Sequence, residues 1–149
     1  MRRAAAALSR RLGVVMMHPL DSMFVLGWMA VVEVALRLLP LPRMATWMGC
    51  PLATLEPAST SVERPGLRPW ERRRLLLLDA LCRRWPFGDG PCLRQALVAG
   101  RILRHHHPAL RIGAAFADAD VIAHAWLEVG ALQLGRSDDF TTLIASPPA

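Results

Sequence analysis

Three cysteines, Cys50, Cys82 and Cys92, and five histidines are the side chains of this chain suited to act as nucleophile or base near neutral pH. All 18 basic residues are arginine. The absence of lysine excludes Schiff-base chemistry, a phosphate-loop lysine and a lysine general base. Cys92 follows Gly90-Pro91 and falls in the first turn of a predicted helix, where unpaired backbone N–H groups and the helix dipole favour an anion. That position favours the thiolate, the form that attacks a carbonyl. Cys82, inside LDALCRRW, has no such setting, and Cys92 taken alone could equally be a small core residue.

His124 supplies a matching base. It lies on a predicted strand, 123–129, whose alternation puts His124, Trp126 and Glu128 on one face and Ala125, Leu127 and Val129 on the other. A cysteine opening a helix, then a strand, then a strand histidine beside a tryptophan is the chain order of a papain-like or transglutaminase-like nucleophile site. There the imidazole takes the thiol proton and returns it to the leaving amine. A third group must accept the other imidazole N–H. Asp138 follows at the right side of the chain, with Asp139 and Glu128 as alternatives, Glu128 being about two pleats away along the same strand. Trp126 suits either substrate contact or shielding of the imidazole. His105-His106-His107 are consecutive and cannot converge on one ion from a helix, and basic groups are in any case favoured at a helix C-terminus. No metal or other cofactor is expected.

The elements that must position these residues are legible from punctuation and periodicity. MFVLGWMAVVEVALRLLPL, residues 23–41, reads as an apolar helix ended by Pro40 and Pro42, with Glu33 and Arg37 four apart. Its uninterrupted apolar run of ten residues, Met23 to Val32, is short of the roughly 20 a bilayer span needs. A buried or partner-facing helix is expected, with membrane association as the alternative. The opening MRRAAAALSRRLG superficially resembles a signal sequence, but His18-Pro19 breaks the apolar stretch that follows, and Met16, Met17 or Met23 could each be the start.

Residues 49–69, rich in Pro, Ser and Thr, read as a linker dividing an N-terminal hydrophobic segment, 1–48, from a domain at 70–149. In that domain WERRRLLLLDALCRRWP and CLRQALVAGRILRHHH read as helices. The Arg72-Arg73-Arg74 run points round its helix and reads as a solvated surface. LRIGAAF reads as a strand, ADADVI as a polar connection, AHAWLEV as a second strand and LQLG as its hairpin partner.

With 149 residues, 53% hydrophobic, and a mean hydropathy of +0.27, intrinsic disorder is excluded. A formal charge of +6 is weak support for a nucleic-acid partner in a chain with no Tyr and four Phe to stack on bases. Three cysteines without a CxxC pair argue against a disulfide framework or a zinc knuckle, and for a reducing cytoplasm.

The segments PCLRQALVAGRILRHHHPALRIGAAF and AHAWLEV resemble the B2 leader-peptidase proteins of lasso-peptide biosynthesis, members of the transglutaminase-like cysteine protease superfamily. The resemblance is carried by Cys92, Leu93, Ala96, Leu97, Arg101, Arg104, His124, Ala125, Trp126 and Glu128, and covers roughly residues 70–145. It implies an α+β fold in which the helix carrying Cys packs on an antiparallel sheet, preceded by an N-terminal hydrophobic helical segment. It also implies a Cys-His-Asp triad, which transfers directly to Cys92 and His124. The pattern's acidic residue would fall where this chain has Leu134-Gly135-Arg136, so Asp138 is displaced by a couple of positions. The implied activity is removal of a leader from a ribosomally made precursor, together with a separate leader-recognition B1 protein and an ATP-dependent macrocyclase. A transglutaminase-like acyl transferase and a non-catalytic scaffold for peptide maturation are the alternatives.

Overall fold

A computed structural model describes residues 19–53, 65–84, 91–117, 120–135 and 141–142. Helix α1 (Pro19–Leu38) begins four residues before the apolar run, because Pro19 needs no N–H partner in a first turn and Asp21 faces the positive end of the dipole. Pro40 stops it. Pro42 does not merely terminate the segment as expected but sits in the first turn of a second helix, α2 (Leu41–Met48). Gly49, with φ of +83°, closes α2 in the left-handed conformation that releases its N–H and that of Cys50 to the carbonyls of Thr46 and Ala45.

Helix α3 (Pro69–Cys82) and helix α4 (Pro91–Leu103) lie where the sequence places them. Glu71, in the first turn of α3, accepts the Arg68 N–H at 2.7 Å, and its fully buried carboxylate meets His106 Nε2 at 3.1 Å. One member of the histidine run is thus used to pin the 3-10 turn after α4 to the start of α3.

The strands are β1 (Ala109–Ala117), β2 (Asp120–Val129), β3 (Leu132–Leu134) and β4 (Thr141–Thr142), in the antiparallel order β3-β2-β1-β4. The expected polar connection at ADADVI is largely strand. Ala117 pairs with Asp120, Phe116 with Val121 and Ala115 with Ile122. Residues that are β-branched, Val121 and Ile122, extend the ladder, whose last pair is Ala117 with Asp120. Near the other end of β1, Leu52 from the expected linker forms a parallel bridge to Leu110, fixed by Ala53 N–H to Leu110 O and Leu110 N–H to Pro51 O, each 2.9 Å.

Helix α4 sits at the centre, packed on β1 and β2 on one side and on α1, α2 and α3 on the other. The core is continuous. Val25, Met29 and Val32 of α1 and Met44 and Met48 of α2 are buried in the same cluster as Leu77, Leu97, Leu110 and Leu127. Each such side chain contributes roughly 1.5–3 kcal/mol on burial. Residues 19–48 therefore supply much of the apolar material that covers α4. Glu33, the one acid in the apolar run, reaches Arg94 at 2.6 Å as well as Arg37 at 2.9 Å, tying α1 to the start of α4. The hydrogen bond to Glu33 holds the Arg94 pKa above its ordinary value. Arg73 and Arg74, read as solvated, instead clasp Asp21 at 3.3 and 2.7 Å, with Arg74 stacked on Phe24; only Arg72 of that run is exposed.

Candidate active site

Cys92 and His124 meet at one place in the fold. Both line a cavity of about 250 Å³ between α3, α4 and the β2–β3 end of the sheet. Cys92 comes from the first turn of α4, next to Pro91 at the helix start, where the helix dipole favours an anion. It is half-buried. The other two thiols are built differently. Burial pushes Cys50 up to about 12 and Cys82 up to about 11, which keeps both protonated and inert.

His124 stands opposite Gly113 in the β1–β2 register. Strand β3 pairs with β2 only from Leu127 to Val129, so the ladder has stopped before His124, and its Nε2 meets the backbone carbonyl of Gly135, the residue after β3. A carbonyl oxygen only accepts. In this contact Nε2 is therefore the donor. Gly135 can present its carbonyl there because its φ of +81° lies in the left-handed region. Sequence reading missed this contact, since a backbone oxygen carries no residue-type signature; the glycine after LQL was its trace.

Behind the imidazole, Trp126 stacks at 6.3 Å between ring centroids and 18° between planes. It is 1% exposed and does not line the cavity, so of its two expected roles the structure supports shielding and not substrate contact. Glu128 accepts from Arg111 Nε at 2.9 Å and from Trp126 Nε1 and Gln133 Nε2 at 3.3 Å each. Its carboxylate thus locks the tryptophan that backs His124. Asp138 and Asp139 lie outside the described residues.

The cavity wall is mostly apolar, from Leu75, Leu76, Leu78 and Leu134, with two polar groups besides the cysteine and histidine. Asp79 of α3 is one, paired with Arg83. Gln95 is the other. It is three residues after Cys92 on the same face of α4, and its amide makes no hydrogen bond among the described residues. The i, i+3 spacing in CLRQ was the available signal for it.

A thiol at a helix start and an imidazole that line the same apolar cleft are the groups that formation and resolution of an acyl-enzyme require. The family comparison agrees with that chemistry. A model of the transglutaminase-like superfamily matches residues 29–144, from within α1 to beyond β4, and the chain belongs to this superfamily. Its α+β domain with an apolar N-terminal helix is of the transglutaminase-like type. The superfamily includes cysteine peptidases and acyltransferases and is typically catalytic. No curated protein and no solved structure matches the chain.

Proposed function

We propose that this protein is a cysteine peptidase that removes the leader from a lasso-type precursor peptide. The observation that carries the reading is that Cys92 and His124, from separate elements, line the same cleft. Support for the lasso-type substrate comes from the motif words CLRQAL and HAWLE, in that order and at that separation. His124 Nδ1 takes the Cys92 thiol proton, and the thiolate attacks the carbonyl carbon at the leader–core junction. The oxyanion is met by the first-turn N–H groups of α4 and by the Gln95 amide. Nδ1–H then protonates the departing amine of the core peptide, and water hydrolyses the thioester. Gly135 O holds the imidazole in its tautomer throughout. Leader recognition by a separate B1 protein and ring closure by an ATP-dependent macrocyclase complete the proposed set of partners.

The test is incubation of the full chain with precursor peptide and B1 protein, read by mass spectrometry. Leader and core, one carrying the mass of water, are the expected products, lost with Cys92→Ala and lowered about 10²-fold with Gln95→Ala, a size typical for loss of one oxyanion donor. Cleavage that survives Cys92→Ala overturns the nucleophile assignment. A product carrying the mass of an added amine makes the protein an acyl transferase.

A further inference from the structure

We propose that the exposed face of α1 and α2 docks on an anionic lipid surface, lying on the bilayer and not spanning it. Eight of the nine large apolar side chains exposed among the described residues belong to α1, α2 and the turn between them; Leu76 at the cleft is the ninth. Met23, Val31, Val34 and Leu38 recur at helical spacing along α1, on the side away from the buried stripe of Val25, Met29 and Val32. Trp47 of α2 faces them across a groove of about 600 Å³ whose lining is almost wholly apolar. A monomer rarely leaves so contiguous a patch in water, and an indole at its rim is the side chain favoured at a lipid interface.

Charge selects lipid as the occupant. Both acids of α1 are neutralised within the protein, Asp21 by Arg73 and Arg74, Glu33 by Arg37 and Arg94. Among the described residues of α2 the one charged side chain, exposed Arg43, is positive. In sequence, the 18 residues that precede α1 add Arg2, Arg3, Arg10 and Arg11 with no Asp or Glu. A basic flank beside an apolar helix face suits phosphate headgroups above acyl chains.

Helix α1 has the length and hydropathy to cross a bilayer, 20 residues at 1.5. Crossing would strip Val25, Met29 and Val32 from the core and break the Glu33–Arg94 tie to the helix of Cys92, so the buried stripe holds α1 in the protein. The inference does not depend on the catalytic assignment.

The experiment is flotation of the full chain with vesicles of phosphatidylcholine alone and of equal parts phosphatidylcholine and phosphatidylglycerol, with circular dichroism checking each variant's fold. Co-flotation with the phosphatidylglycerol vesicles, release by high salt, and about tenfold weaker binding by V34S/L38S and by Arg43→Glu are expected. Both sets of positions are exposed, so a folding failure in one leaves the other to decide. Absence of binding to phosphatidylglycerol vesicles by the folded protein overturns the proposal. So does resistance to alkaline carbonate extraction, which would mean a span. A dimer without lipid that V34S/L38S dissociates would also overturn it, giving the face to a second copy.

Discussion

At His124 one partner of the imidazole is a backbone oxygen, that of Gly135. Where a buried carboxylate is the acceptor that fixes the imidazole tautomer, its amide variant loses about 10⁴ in kcat. If Asp138 or Asp139 orients His124, its Asn variant is expected to lower kcat for leader cleavage toward that loss of about 10⁴, and the variant of the other aspartate by less than about tenfold. Gly135→Ala is expected to lower activity as well. Space at that position is open, so the burden is conformational, about 1–2 kcal/mol for a Cβ in left-handed backbone. Gly135→Asn, better tolerated there, should recover part of the loss, with kcat moving more than KM. Losses under about tenfold for both aspartates would leave the orienting role to Gly135 O. Cys92 and His124 were readable because each couples a reactive side chain to a local position, helix start and strand. Gln95 was readable only in part, through its spacing from Cys92.

At the scale of elements, α4 bears the site at one end and the packing along the rest of its length. Gly100 is where it comes closest to a neighbour. A Cβ there would stand 2.6 Å from the Cys50 Cβ, with Sγ nearer still, so the residue that follows α2 lies directly against the helix. Gly100→Ala is expected to destabilise by about 1–3 kcal/mol, as overpacking in a filled core does, despite alanine's better helix propensity. Urea denaturation measures this. Combined with Cys50→Ala, the total loss should fall short of the sum of the single losses, because the two changes share one space. Prolines and periodicity made the helices legible. They misread Pro42 as an end where it is a beginning, since proline stops one helix by the same missing N–H that lets it start another. The aspartates of ADADVI point to a connection; at Asp120, pairing with Ala117 of β1 outweighs the residue's poor strand propensity.

Across the whole molecule, one ion cluster tethers the N-terminal helix to the helix flanking the cleft. Asp21 is buried, which raises its pKa, but hydrogen bonds from Arg74 and Arg73 outweigh burial and hold it below the usual carboxylate range. With the folded value below the unfolded one, protons bind the unfolded chain better. The tether's stabilisation is therefore complete above the ordinary aspartate pKa of about 3.9 and is lost as pH falls through the lower folded value. Urea midpoints taken from pH 7 down to pH 3 should decline over that window, and Asp21→Asn should lower the midpoint at pH 7 while flattening the decline; an unchanged decline would assign it to other carboxylates. Burial of Val25, Met29 and Val32 beside α4 makes α1 part of the same stability unit, so its exposed face can meet a lipid surface without leaving the fold.

The sequence by itself determined helices α1, α3 and α4, the strands β1, β2 and β3, a cysteine at a helix start and a histidine on a strand. Each follows from interactions among near neighbours: turn residues, periodicity, unpaired N–H groups in a first turn. Only the tertiary structure decided that Cys92 and His124, 32 positions apart, share one cavity, that a carbonyl beyond β3 meets the imidazole, and that Asp21 and Glu33 find arginines more than 50 residues away. Those meetings depend on how α4 is covered from both sides, and a contact between distant segments has no period in the chain to be read from.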